Sequence, residues 1–178
     1  PYLKEITIQQ LLSHTSGIPN PLPLKWIHLA NEHDGFNRDS FFDDVFKANP
    51  KLAFDSGTDF KYSNLGYVFL GQLVERVSGQ SFETYVTENI IARSGISPSD
   101  LNFRIQQSSH AVGYHKWWSL SNAIFGFLID KEKFMGEKEG RWKPFKLFYN
   151  NGTPYGGMFG SAPGLIKYAQ TLLQQNSI

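Results

Sequence analysis

The stretch Ser56-Gly57-Thr58-Asp59-Phe60-Lys61-Tyr62-Ser63-Asn64-Leu65-Gly66-Tyr67-Val68-Phe69-Leu70-Gly71-Gln72-Leu73-Val74-Glu75-Arg76-Val77-Ser78-Gly79 runs from a turn, through a short extended piece, into an apolar segment. Leu65, Val68, Phe69, Leu73, Val74 and Val77 recur at spacings of three and four, the period of one helical face. The spacing predicts a helix over 64–77, stopped by Gly79. Tyr62 and Asn64 then sit where that helix begins. Backbone N–H groups are unpaired there and the local potential is positive. A cleft at that point suits an anionic or polar ligand, or a phenolic oxygen that must at times be deprotonated.

Working outward, Thr7-Ile8-Gln9-Gln10 reads as a capping box that opens a first helix through Leu11 and Leu12. Gly17 and Pro19 end it, and a Pro-rich loop follows over 18–26. A second helix fits 39–48, with Phe41, Phe42, Val45 and Phe46 on one face and Asn49-Pro50 as its stop. Ser81 caps a fourth helix that carries Phe82, Tyr85, Val86, Ile90 and Ile91 and ends by Gly95. Ser161 caps a fifth over 162–174, where Pro163 is tolerated because it lies in the first turn. Residues 100–160 lack a sustained period and are rich in aromatics, so short strands or irregular segments are expected there. Asn150 to Gly157 is turn chemistry. The fold class read from these patterns is mainly α.

Composition narrows the classes of function. The chain has 178 residues, 40% hydrophobic and 19% charged, enough to bury a core. Formal net charge is +1, from 17 basic and 16 acidic residues, which argues against a nucleic-acid partner. There is no cysteine, so disulfides and thiolate chemistry are excluded. No apolar run is long enough to span a bilayer. Its nearest approach, Trp117 to Ile129, is expected to be core, with a lipid- or partner-facing patch as the alternative. Pro1 is not an initiator Met, so the chain is expected to be processed or cut from something longer.

Three blocks carry a family resemblance. Ile6-Thr7-Ile8-Gln9-Gln10-Leu11-Leu12-Ser13-His14-Thr15-Ser16-Gly17-Ile18-Pro19 is the first. The second is Ser56 to Tyr67, followed by Leu70-Gly71 and Val77-Ser78-Gly79-Gln80-Ser81. The third is Gly156-Gly157-Met158-Phe159-Gly160-Ser161-Ala162. In order and spacing they resemble class C β-lactamase-like serine hydrolases, the family of penicillin-binding proteins, D-amino-acid peptidases, esterases and β-lactamases. Ser56 stands where family members usually have Pro. Pro163-Gly164 replaces a usual Asp, and Ser94-Gly95-Ile96 a usual Leu-Gly-Met.

The resemblance implies an acyl-serine mechanism whose nucleophile is the Ser of Ser-x-x-Lys. No Ser in 1–178 has Lys three positions later; Thr58-x-x-Lys61 is the nearest and lies in a turn. His14-Thr15-Ser16-Gly17 imitates the family's Lys/His-Thr/Ser-Gly strand motif, but matches its helix-end motif. The chain is therefore expected to be a single helical domain, the helical subdomain of a β-lactamase/transpeptidase-like fold. It would lack the Ser-x-x-Lys segment and the C-terminal strands, and would be inactive alone.

By the same resemblance, Tyr62 would take a proton from the serine hydroxyl and later activate water or protonate the leaving group. Asn64 would hydrogen-bond the substrate's amide carbonyl and the catalytic lysine. Their plain alternatives are a hydrogen-bonded helix-end hydroxyl and a helix cap. The turn over 56–64 is expected to put the Tyr62 hydroxyl and the Asn64 amide on one open surface. The rival class is a non-catalytic binding or scaffolding domain. A periplasmic, secreted or membrane-anchored setting is favoured by resemblance only.

The implied partner of the full-length protein is a small-molecule or peptide substrate, with no cofactor. His28 and His33, like His110 and His115, are five apart, which does not place a pair on one helical face, so no metal site is expected. Self-association is expected through a face left uncovered near Leu11 and Leu12 and around Leu165, Ile166 and Leu172.

Overall fold

The computed structural model describes residues 6–106, 110–118 and 129–173. Helix predominates, and the strands are short antiparallel pairs. The chain divides into two compact units: residues 1–21, 42–104 and 152–178 form the first, and 22–41 with 105–151 the second.

The first unit is built on helices. Helix α1 (Ile8–Leu12) opens with the capping box read from sequence: Gln10 N–H donates to Thr7 Oγ1 and Thr7 N–H to Gln10 Oε1. Helix α2 (Arg38–Ala48) enters this unit at Phe42, which is 1% exposed. Helix α3 (Asn64–Ser78) is the axis of the unit; Gly79, at φ +70°, closes it. Leu65 and Val68 are buried, and Phe69 stacks on Phe46 of α2 at 4.2 Å between centroids. Val77 departs from the apolar face read from spacing: it is 80% exposed, because the packed stripe runs out before the last turn.

Helix α4 (Phe82–Val86) is capped by Ser81 and runs on into one turn of π-helix, Thr87–Ile91. It feeds a core of Val86, Ile91, Ile96, Leu101 and Phe103. Strands β2 (Leu101–Asn102) and β6 (Phe159–Gly160) pair antiparallel beside that core. Helix α6 (Thr153–Gly156) packs on α3. Gly71 allows the approach, since a Cβ there would run into the Pro154 ring. Helix α7 (Ala162–Leu173) starts at Ser161, whose hydroxyl accepts from Gly164 N–H and donates to Asp100 Oδ1. Residue 174, which the sequence reading included, lies outside the described residues.

The turn that precedes α3 has Ser56 where the resemblance leads one to expect proline, and is tied down otherwise. Ser56 Oγ donates to the Ser16 carbonyl at 2.8 Å, and Gly57 N–H to the Thr15 carbonyl at 2.8 Å.

The second unit pairs β1 (Ile27–Leu29) with β5 (Phe148–Asn150), and β3 (Tyr114–Lys116) with β4 (Trp142–Pro144), both antiparallel. Short helix α5 (Lys131–Phe134) is capped by Asp130. The unit is stacked from rings: His33 lies 3.8 Å from Tyr149, and His28 4.1 Å from Phe36. His28 and His33, which spacing did not bring together, hydrogen-bond at 2.9 Å because the chain turns back through a 3-10 segment over Ala30–Gly35. Of the Trp117–Ile129 stretch, 119–128 lie outside the described residues. Its described start is not core: Trp117 is 42% and Trp118 88% exposed.

Candidate active site

The end of α1 sets the geometry around Tyr62. Thr15 N–H donates to the Gln10 carbonyl and His14 N–H to the Leu11 carbonyl, the two bonds of a Schellman closure. His14 occupies its left-handed position at φ +58°, where helices usually place glycine. That conformation turns the imidazole toward the segment ahead of α3. The His14 carbonyl accepts from Lys61 N–H at 3.0 Å, and its Nδ1 from Ser63 N–H at 3.2 Å. An accepting Nδ1 places the imidazole proton on Nε2.

The two bonds hold the backbone on either side of Tyr62. The His14 ring lies 4.5 Å from the Tyr62 ring and 5.0 Å from that of Tyr67. Tyr67 in turn donates its hydroxyl to the Leu12 carbonyl at 3.2 Å. Tyr62 is thus backed by an aromatic wall yet stays 54% exposed.

Helix α3 begins one residue after its cap, Ser63. The Ser63 hydroxyl accepts from Gly66 N–H at 3.1 Å and donates to the Pro19 carbonyl at 3.2 Å. The cap is therefore Ser63 and not Asn64. Asn64 is the first helical residue, and its N–H is taken by Asn20 Oδ1 at 3.0 Å. Asn64 is 8% exposed, which corrects the expectation that it shares an open surface with Tyr62. Packing of the first turn of α3 against the loop at Asn20 produces the difference. No hydrogen bond to the Asn64 side-chain amide forms among the described residues.

Sequence reasoning named Tyr62 and Asn64, and took His14 for a helix-end hydrogen-bonding residue, which it is, without linking it to Tyr62; Ser63 and Asn20 were passed over. The one available signal was Ser63 standing just ahead of the apolar-periodic run that starts at Leu65, a cap position. Nothing in spacing shows that His14 reaches a segment some fifty residues away. Among the described residues no cluster of three or more His, Cys, Asp or Glu side chains could hold a metal ion.

The chain is similar to known proteins in sequence and in fold. "Protein flp" of Staphylococcus aureus (strain MRSA252) is 31% identical over 112 residues, which are 61% of this chain and 21% of that protein. The octameric penicillin-binding protein homologue from Pyrococcus abyssi superposes with a TM-score of 0.66 at 23% identity, covering 100% of this chain and 37% of that one. A class C β-lactamase superposes with a TM-score of 0.62 at 17% identity, covering 96% of this chain and 38% of that one. The chain spans well under half the length of each of them. At these identities the two superpositions establish a shared fold. The β-lactamase family model matches residues 1–178, the whole sequence. Fold, block order and family model agree, and the chain belongs to the β-lactamase family.

Proposed function

We propose that residues 1–178 are the helical portion of a larger acyl-serine hydrolase, and that they supply its tyrosine acid–base group, Tyr62. The observation that carries this reading is an accessible phenol, one residue ahead of a helix cap, with its backbone clamped on both sides by His14. A general base needs a fixed position as much as a suitable proton affinity. Tyr62 would accept the serine proton as the acyl-enzyme forms, then return it to the leaving group or activate water. Asn64, set back in the first turn of α3, would meet the substrate's amide carbonyl with its side-chain amide. The substrate class is a β-lactam, a D-amino-acid peptide or an ester. The serine, its lysine and the oxyanion donors would come from chain outside these residues.

The test has two arms. Purified 1–178 should not hydrolyse a chromogenic cephalosporin or a nitrophenyl ester. In the longer protein, Tyr62→Phe should slow acylation by about 10²–10⁴-fold, the usual worth of a general acid–base group. The melting temperature should change little, because one hydroxyl at a helix end is a modest loss. Unchanged acylation kinetics would reduce Tyr62 to a helix-end residue and favour the non-catalytic reading of the domain.

A further inference from the structure

The second unit carries a face that the hydrolase reading does not use. A cavity of about 680 Å³ opens beside the β3–β4 pair, with Trp117, Trp118, Met135, Lys131, Lys143 and Lys146 in its walls. Glu132 and Glu137 also contribute. Lys143 Nζ lies 4.6 Å and Lys138 Nζ 5.5 Å from the Trp117 ring centre. Two cations thus lie close to the Trp117 ring, while its neighbour Trp118 stands 88% exposed.

Charge is concentrated on this segment. Residues 110–146 hold seven of the chain's 17 Lys and Arg but only four of its 16 Asp and Glu. The remaining sequence therefore carries a net negative charge and this segment a net positive one. An indole beside clustered lysines is the combination that settles at a bilayer surface. Tryptophan prefers the headgroup level, and each lysine near an anionic leaflet adds attraction. The mixed lining of the cavity offers a phosphate the lysines and an acyl chain the Trp118 and Met135 surfaces.

We propose that this face docks on an anionic lipid bilayer, with Trp118 at headgroup depth and Lys138, Lys143 and Lys146 on lipid phosphates. The mode is peripheral: no described helix is long and apolar enough to cross a membrane.

The test is cosedimentation of the full 178-residue chain with sucrose-loaded vesicles. One set is phosphatidylcholine alone, the other contains about 30% phosphatidylglycerol, an anionic fraction that gives a strong surface potential. Binding to the anionic set should be at least about tenfold stronger and should weaken in high salt. Lys143→Glu and Trp118→Ser should each reduce it about fivefold or more, with an unchanged circular dichroism spectrum. Equal partition into both vesicle sets would overturn the proposal. So would full binding by Trp118→Ser, or displacement by glycerol phosphate at matched phosphate concentration, which would point to a soluble anion. If either variant misfolds, brominated lipid in the anionic vesicles provides the second measurement on the unaltered chain. Its tryptophan fluorescence should be quenched, and absence of quenching would overturn the docking.

Discussion

His14 sits where a Schellman closure ordinarily takes glycine, and a left-handed residue with a Cβ costs about 1–2 kcal/mol. Its ring contacts with Tyr62 and Tyr67 offset that cost, at about 0.5–1.5 kcal/mol for each aromatic pair. The two magnitudes nearly cancel, so the side chain is better explained by what it positions than by stability. His14→Gly should therefore leave the unfolding free energy, read by urea denaturation, within about 1 kcal/mol of the parent's. In the longer protein it should lower kcat about tenfold or more with a smaller change in KM, because Tyr62 loses its backing. His14→Asn should recover part of the loss. Asparagine tolerates the left-handed region, and its carbonyl oxygen can accept from Ser63 N–H. A glycine variant with unaltered kcat would separate His14 from the chemistry.

At the scale of the element, the close contact between α3 and α6 rests on Gly71. Alanine there would gain about 1 kcal/mol in helix propensity. It would also drive a methyl group into the stiff Pro154 ring, and overpacking of this kind costs about 1–3 kcal/mol. Gly71→Ala should thus destabilise on balance, read as a lower urea midpoint at unchanged slope. A raised midpoint would mean that α6 shifts freely.

A second element has a pH signature. Glu32 accepts from Leu29 N–H at 3.0 Å and pairs with Lys133 at 2.8 Å, joining the end of β1 to α5. The Lys133 hydrogen bond, then that of Leu29, holds the Glu32 carboxyl below the usual glutamate range. A depressed acid stabilises the fold above its ordinary titration range, and the contribution is lost as pH falls through the lowered value. The melting-temperature gap between the parent and Lys133→Met should therefore be present at about pH 6, above the ordinary glutamate range, and shrink as pH falls below that range. A gap that widens in acid would reverse the assigned sign.

What the sequence revealed of these elements follows from range. Caps and periods are local, so the Thr7–Gln10 box, Gly79 and the stripe of α3 were legible. Strand β1 pairs with β5 across more than a hundred residues, and neither three-residue strand has a period of its own. The site divides in the same way. Tyr62 was found from a motif, whereas the Asn64 backbone N–H is taken by Asn20, a loop residue that nothing in the local pattern links to α3.

For the molecule as a whole, the feature that remains is the outer stripe of α7. Leu165, Ile166, Leu172 and Leu173 recur one heptad apart and are 61%, 58%, 57% and 85% exposed. Leu12 of α1 is also exposed at 54%, whereas Leu11, named with it in the sequence reading, is 8% exposed and belongs to the core. A continuous apolar stripe on a helix is uncommon on a soluble monomer. A net charge of +1 gives little long-range repulsion to keep copies apart. We therefore expect residues 1–178 to self-associate through α7, most simply about a two-fold axis. Sedimentation at about 100 µM, far above the Kd of a stable interface, should show dimers or larger species. Leu165→Glu with Leu172→Glu should return the chain to a monomer without loss of helix signal. The longer protein carrying this segment should be less prone to associate by this route, since in the hydrolase reading its other half would cover the stripe. A strict monomer that binds no hydrophobic dye would show that α7 is tolerated bare, and would make the helical unit more autonomous than its length relative to its relatives suggests.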